Sequence, residues 1–242
     1  MQRLYLSDLH LGPEHPALSR AFARWCRGPA AEADEVWILG DLFEYWVGDD
    51  VGLETYPREI EALARLSETA AVHFLPGNRD FLCGAAFARA AGLRLHREPV
   101  RLPGRPRVLL LHGDSLCTAD REYQRYRRLV RQRWLQWLFL HSPRGWRANL
   151  AARIRARSAE RGQRAEVQAI TDADPRAAER ALRRERADVL VHGHTHRPAR
   201  HAHRRGLRYV LPDWRPGEPG SHGWLQQCDE DFSFRTLAGW RP

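Results

Sequence analysis

The chain has 242 residues, of which 43 % are hydrophobic, and its formal net charge is +9. This length and apolar content are sufficient for a sizeable core, and we predict a single domain over residues 1–242. No run approaches the roughly 20 apolar residues of a membrane-spanning helix, and the first ten residues are not typical of a signal peptide.

The predicted elements alternate short apolar strands with amphipathic helices, which indicates an α/β fold. Strands are predicted at residues 3–7, 36–39, 72–75, 108–111, 189–192, 207–211 and 232–237. Helices are predicted at residues 16–27, 56–69, 84–91 and 175–186, with Asp174 as the N-cap of the last one. Four scattered cysteines without a Cys-x-x-Cys spacing predict reduced thiols in a cytosolic protein.

Residues 119–165 have a different pattern and are predicted to form a helical cap inserted between two strands. Apolar and aromatic residues recur there every three or four positions, which predicts one long helix ending at Ser142-Pro143 and a second, basic helix over 144–161. Two functions of the aromatic residues remain open at this point. They form an interfacial cap at a membrane surface, an ordinary core between the two helices, or both.

The positive charge is concentrated in this segment. All 39 basic residues are arginines, and 13 of them lie between Arg121 and Arg164 together with only two acids, which gives a local charge of +11. The rest of the chain therefore carries −2, the difference between +9 and +11. A confined basic segment favours an anionic partner, such as nucleic acid, a membrane surface or a phosphorylated substrate. No motif that reads bases is present, so no nucleic-acid partner is expected.

Metal-binding residue types follow five of the predicted strands. Open α/β sheets bind their ligands at the carboxyl ends of strands. Residues two apart on an extended segment face the same side, so Asp8 with His10, and His194 with His196, are expected to point into one cleft. Oxygen and imidazole donors without thiolates suit Mn, Fe, Zn or Co. The candidate ligands of a two-ion site, with Asp41 as the bridge, are Asp8, His10, Asp41, Asn78, His112, His194 and His196.

Each of these motifs is weak when taken alone. Asp-x-His is common, His-Gly-His also occurs in surface loops, and an Asn after Gly is usual in turns. All five in this order, each at the end of an apolar strand, favour one dinuclear metal site over five unrelated loops.

In sequence order, the motifs Asp-x-His, Gly-Asp, Gly-Asn, His and Gly-His-x-His resemble those of the calcineurin-like metallophosphoesterases. The resemblance covers nearly the whole chain and implies the fold of that family, an α/β structure of β-sheet layers flanked by helices. It is closer to a branch of the family that cleaves the pyrophosphate bond of UDP-2,3-diacylglucosamine in lipid A biosynthesis. Arg79, within Gly77-Asn-Arg-Asp-Phe-Leu82, is diagnostic because the wider family usually has His at this position.

The resemblance implies two Mn²⁺ ions and assigns the ligands of each. Asp8, His10, Asp41 and His196 would hold one ion, and Asp41, Asn78, His112 and His194 the other. A metal-bound hydroxide would attack the α-phosphorus and release UMP and 2,3-diacylglucosamine 1-phosphate. Asp41, Asn78 and Arg79 would then be catalytic, and Asn78, Arg79 and His194 would also contact the substrate.

Arg79 would bind the pyrophosphate, because a guanidinium can donate to two phosphate oxygens. The alternative for Arg79 is a surface salt bridge with Asp80. Asp120 and Ser158 match residues that contact the glucosamine head group, although Asp120 is also suited to be a helix N-cap. Beyond Ser158 the family often carries a Lys, and Arg164 is the predicted counterpart.

A diacylated substrate implies that the enzyme lies peripherally on the anionic cytoplasmic face of the inner membrane, and we expect it to act as a monomer. An alternative keeps the metals and changes the substrate, giving a soluble nucleotide-sugar pyrophosphatase or phosphodiesterase. The aromatic cap argues against this alternative, because a small polar substrate needs no such cover.

Overall fold

The computed structural model of the protein describes residues 1–150, 152–153 and 172–239. Eleven strands, β1 to β11, form two sheets; they are Gln2–Leu6, Glu35–Ile38, Ala71–Phe74, Arg94–Leu95, Val100–Leu102, Val108–Leu110, Val189–His192, Ala199–His203, Gly206–Val210, Gly223–Cys228 and Asp231–Thr236. The helices α1 to α8 are Pro16–Arg27, Asp49–Thr55, Pro57–Leu66, Ala85–Ala90, Arg121–Val130, Arg133–Leu140, residues 144–150 and Pro175–Glu185. No helix in this part of the chain is both long and apolar enough to cross a bilayer.

The two sheets are largely parallel in their centres. The first has the strand order β11-β10-β1-β2-β3-β4, and β1 to β4 run parallel. The second has the order β5-β6-β7-β9-β8, and β6, β7 and β9 run parallel. Parallel strands present all their carboxyl ends at one edge, so each sheet has one edge suited to a functional site.

Alternating side chains on each strand build three apolar layers. Tyr5 and Trp37 of the first sheet pack with Val108 and Val191 of the second, which places a core between the sheets. Their neighbours on the opposite face of the first sheet pack against α1, α3 and α4, whereas α8 covers the outer face of the second. Burial on both faces explains why the central strands are continuous apolar runs. The predicted α/β class of sheet layers flanked by helices is confirmed.

Two helix starts are formed as the sequence predicts. Pro16 occupies the first turn of α1, where its missing N–H removes no hydrogen bond. The side chain of Asp174 accepts a hydrogen bond from the backbone N–H of Arg176 and caps α8.

The prediction of one long helix that ends at Ser142-Pro143 is wrong, because the helix breaks between α5 and α6. Gln132 has extended backbone angles, φ −69° and ψ 125°. Side-chain amides satisfy carbonyls freed at the break: Gln132 donates to Arg128 and Gln136 donates to Val130. The apolar spacing continues across the break, so periodicity alone could not reveal it. Of the predicted helix 144–161, residues 144–150 and 152–153 are helical and the rest lie outside the described residues.

Besides β4 and β5, which form in a stretch without a clear sequence pattern, three elements were missing from the predictions. The edge strand β8, Ala199–His203, is polar and largely exposed, so it lacks the apolar alternation of a half-buried strand. The strand β10 is mixed in composition, and the short helix α2 contains Gly52, which lowers helix propensity.

Candidate metal centre

The carboxyl edges of the two sheets meet, and this meeting brings the predicted site residues together. Asp8, Asp41 and Asn78 follow the parallel strands β1, β2 and β3, while His112 follows β6 and His194 follows β7. A direct link joins the edges, because Nδ1 of His112 lies 2.8 Å from the carbonyl oxygen of Leu39 in the first sheet. The five strand ends therefore line one cleft.

Six of the seven candidate ligands form two clusters. Within each cluster the potential ligand atoms all lie within 4.8 Å of one another. The first cluster is Asp8, His10 and His196, and the second is Asp41, His112 and His194. Asn78 joins the second, with its Oδ1 atom 2.9 Å from Nε2 of His112.

The backbone reaches this arrangement through left-handed turns rather than extended segments. Five site residues have positive φ angles: Asp8 (57°), His10 (49°), Asp41 (52°), His194 (70°) and His196 (53°). The assumption that Asp8 and His10, or His194 and His196, sit on extended chain was therefore wrong, and His194 and His196 serve different clusters. Such conformations cost about 1–3 kcal/mol each and concentrate at functional sites.

Two glycines allow the close approach of these turns. A Cβ on Gly77 would lie 2.2 Å from Oδ1 of Asp41, and one on Gly193 would lie 2.2 Å from Oδ2 of Asp8. Any larger residue at either position would displace a carboxylate of one cluster.

In the first cluster, nitrogen and oxygen atoms of three side chains converge on one point. Oδ2 of Asp8 accepts from the hydroxyl of Ser7 and from the N–H of His194, whereas its buried Oδ1 accepts no hydrogen bond from any residue that the structure describes. The Nε2 atoms of His10 and His196 lie 3.4 Å apart, and Nε2 of His196 is 3.5 Å from Oδ1 of Asp8. Donor atoms that converge in this way fit a cation.

The second cluster fits a cation for the same reason. A carbonyl oxygen only accepts, so the contact with Leu39 places the proton of neutral His112 on Nδ1 and leaves a lone pair on Nε2. That lone pair faces oxygen atoms, Oδ1 of Asn78 at 2.9 Å and Oδ1 of Asp41 at 3.7 Å. Carboxylate, amide and imidazole donors suit Mn, Fe, Zn or Co.

The charges within the cleft interact strongly. Burial lowers the pKa of His112, but the carboxylates of Asp41 and Asp114 overcome this effect and raise it to about 9. Burial, together with the nearby His112, lowers the pKa of His194 to about 4. Neighbouring groups of one type with pKa values displaced in opposite directions indicate a functional site.

Asp80 joins the ends of two strands and was not anticipated. Its buried carboxylate accepts hydrogen bonds from the backbone N–H groups of Gly77 (2.7 Å), Leu42 (2.8 Å) and Asp41 (3.3 Å). Burial, followed by the proximity of Asp41, raises the pKa of Asp80 to about 7. The alternative that Asp80 forms a surface salt bridge with Arg79 is wrong, because Asp80 is fully buried.

Arg79 pairs with Glu44 instead. Its Nη1 atom lies 2.9 Å from Oε1 of Glu44, and its backbone N–H donates to Oδ1 of Asp41. The guanidinium is partly exposed at the rim of the cleft, and its partner Glu44 also contacts His10 of the first cluster.

The helix α5 forms one wall of the cleft. The hydroxyl of Tyr123 and Nε of Arg127 both donate to Oδ2 of Asp114, at 2.8 and 2.7 Å, and Nη2 of Arg131 donates to the carbonyl of Gly77. Arg127 also pairs with Glu98. Part of the positive charge of the basic segment is therefore neutralised inside the protein rather than offered to a partner.

The predicted head-group residues are only partly described. Asp120 is the N-cap of α5, and its Oδ1 accepts from the N–H of Tyr123 at 2.9 Å, which confirms the capping prediction. Ser158 and Arg164 lie outside the described residues.

Similar proteins agree with this fold. A family model for calcineurin-like phosphoesterases matches residues 1–198, and the chain belongs to this family. A protein of Serratia proteamaculans named UDP-2,3-diacylglucosamine hydrolase is 43 % identical over 88 % of this chain and 91 % of its own length. One of the same name from Aromatoleum aromaticum is 44 % identical, over 90 % and 91 %. A solved archaeal phosphodiesterase, only 13 % identical, covers 98 % of this chain and 100 % of its own with a TM-score of 0.50, which concerns the fold alone.

Proposed function

We propose that the protein hydrolyses the pyrophosphate bond of UDP-2,3-diacylglucosamine in lipid A biosynthesis, by attack at the α-phosphorus, and releases UMP and 2,3-diacylglucosamine 1-phosphate. The observation that carries the proposal is the convergence of two clusters of metal-binding side chains at the strand ends. The identity of 43–44 % with relatives named for this substrate supports its choice.

In this proposal the clusters hold two divalent ions, with Mn²⁺ as the metal and Fe, Co or Zn as chemically suitable replacements. Asp8, His10, Asp41 and His196 hold one ion, and Asp41, Asn78, His112 and His194 hold the other. When bound, such a pair activates water and neutralises charge on the phosphoryl oxygens.

The remaining side chains bind and orient the substrate. Arg79 stands at the rim beside Asn78, where its guanidinium can bind two oxygens of the pyrophosphate while staying charged. His194 and Asn78 contact the reacting phosphoryl group, and Asp120, at the start of α5, contacts the glucosamine. Ser158 and Arg164 are assigned to the same head group from the sequence alone.

Exposed apolar residues on α6 and α7 support a membrane-bound substrate. Trp134 and Trp137 are 62 % and 61 % exposed, and Leu138 and Trp146 are also exposed. This exposure favours contact with acyl chains over an ordinary core between two helices, the second of which is described only at residues 144–150 and 152–153. Large apolar side chains beside arginines suit binding, as a monomer, to the anionic cytoplasmic face of the inner membrane.

The direct test is Mn²⁺-dependent release of UMP from UDP-2,3-diacylglucosamine, measured beside UDP-glucose and bis(p-nitrophenyl) phosphate. We expect the diacylated substrate to be strongly preferred and the Asp41→Ala variant to be inactive on all three. Equal rates on UDP-glucose would instead favour a soluble nucleotide-sugar pyrophosphatase, and a preference for the small diester would favour a phosphodiesterase.

A further inference from the structure

The two histidines of the first cluster are each backed by an acid outside the recognised motifs. While their Nε2 atoms face each other, the Nδ1 atom of His10 lies 3.3 Å from Oε2 of Glu44. The Nδ1 atom of His196 lies 3.5 Å from Oδ2 of Asp213. Both rings are therefore placed between a carboxylate on the outside and the cluster on the inside.

Each of these acids is itself held by an arginine. Glu44 binds Nη1 of Arg79 at 2.9 Å through its other oxygen, and Asp213 binds Nε of Arg215 at 2.9 Å. Asp213 is buried, and the side chain of Glu44 is mostly buried. Nδ1 of His10 makes no hydrogen bond to a residue that the structure describes, so these carboxylates act through their charge. A fixed negative charge beside Nδ1 favours the proton on that nitrogen, which leaves Nε2 as a ligand.

The second cluster is built differently. His112 is oriented by the main-chain carbonyl of Leu39, at 2.8 Å, and this partner carries no formal charge. Substitution of a side chain cannot remove it. The outer ring nitrogens therefore have different partners: a carboxylate lies beside those of His10 and His196, whereas a main-chain carbonyl lies beside that of His112.

We propose that Glu44 and Asp213 are positioning residues that set the divalent-metal affinity of the Asp8–His10–His196 cluster and leave that of the other cluster unchanged. This inference rests on the proposed two-metal function. Glu44 has an additional effect, because it also holds Arg79 at the rim, whereas no contact of Asp213 within the described residues involves one assigned to the substrate. Loss of Glu44 therefore alters metal and substrate binding, and loss of Asp213 alters metal binding alone.

The test is calorimetric titration of the metal-free full-length chain with Mn²⁺, comparing the wild type with Glu44→Gln and Asp213→Asn. The matched control is Glu218→Gln. Glu218 pairs with the same Arg215 at 3.7 Å, and this substitution likewise removes the charge of an acid. Removal of a carboxylate behind a metal-binding histidine typically weakens metal affinity about 10–100-fold. We expect this loss of Mn²⁺ affinity at one of the two metal sites in each variant. In the control we expect it at neither site.

A kinetic readout separates the two acids. At saturating Mn²⁺, Asp213→Asn should recover the wild-type KM for the diacylated substrate, whereas Glu44→Gln should keep a raised KM. Two sites of wild-type affinity in both variants would overturn the inference, as would an equal loss at both sites. If one variant fails to fold, the other decides. The titration uses no substrate, so a failure of the proposed reaction leaves its result unchanged.

Discussion

The helices α5 and α6 adjoin in the sequence and share one apolar spacing, yet they differ in what they contact. Three side chains of α5 and its C-cap reach into the cleft, where Tyr123 and Arg127 bond Asp114 and Arg131 bonds the carbonyl of Gly77. In contrast, α6 exposes Trp134, Trp137 and Leu138 to solvent. The comparison shows that a single extended residue, here Gln132, can separate a helix that contacts the cleft from a helix that exposes apolar side chains to solvent.

Arg127→Met, on the side of α5 that faces the cleft, is expected to have the largest effect, a loss of stability. The substitution leaves the fully buried Asp114 with only Tyr123 and the more distant Arg131 as partners. Removing one member of a buried ion pair typically costs about 3–5 kcal/mol, and we expect about 3 here because those partners remain. Urea unfolding measures the loss. The control is Arg125→Met, an exposed site on the same helix, which should stay within about 0.5 kcal/mol of the wild type. Equal effects would mean that α5 is not anchored by this pair.

The double substitution Trp134→Ser and Trp137→Ser should leave stability almost unchanged and weaken membrane binding. Both side chains are already exposed, so the free energy of unfolding should change by less than about 0.5 kcal/mol. Binding to anionic liposomes should weaken about 30-fold, because roughly 1 kcal/mol of apolar contact with the bilayer is lost from each. Co-sedimentation at low salt measures it. Phe234→Ser, an exposed aromatic on β11, is the control and should bind as the wild type does.

Tyr123→Phe, on the side of α5 that faces the cleft, should give a smaller loss of stability. It removes one hydrogen bond to the charged Asp114 and leaves the ring in place. Such bonds contribute about 1.5–3 kcal/mol, and we expect the lower value because Arg127 still binds the same oxygen. Thermal unfolding tests this prediction, with Tyr126→Phe on the more exposed face as the control. A stability equal to that of the wild type would contradict the role of Asp114 as the anchor of α5.

The smallest effect is expected at Arg144, one of two arginines that contact Asp50. Arg147 is 2 % exposed and Arg144 is 52 % exposed, although both contact this carboxylate. Exposed pairs contribute about 0–1 kcal/mol, so Arg144→Ala should change the unfolding free energy by less than about 0.5 kcal/mol. Arg147→Ala should cost clearly more, because Arg147 also donates to the carbonyl of Val47. Chemical denaturation of both variants provides the measurement, and equal losses would be inconsistent with α7 docking through Arg147.

The sheets and the cleft were predictable because their signals are local. Each central strand is an apolar run that stops at a site residue, as Val189–His192 does before Gly193 and His194. Parallel strands then bring such stops together at one edge. The left-handed turns at Asp8 and His194 could not be predicted from the sequence, because neither residue type requires a positive φ.

What sequence reasoning missed depends on contacts between distant segments. Asp213 lies close to His196, and Glu98 close to His112, only after the second sheet has formed. Likewise, counting arginines in one segment could not show that Arg127 and Arg147 are paired with acids elsewhere in the chain. Charge density in a sequence therefore overstates the charge that is presented to a partner.

The most direct test of the central claim is anomalous diffraction from crystals of the protein grown with Mn²⁺. The account predicts two anomalous peaks about 3.5–4 Å apart, one contacted by Asp8, His10 and His196, the other by Asn78, His112 and His194, with Asp41 touching both. A single peak, or two peaks that share no ligand at Asp41, would contradict it.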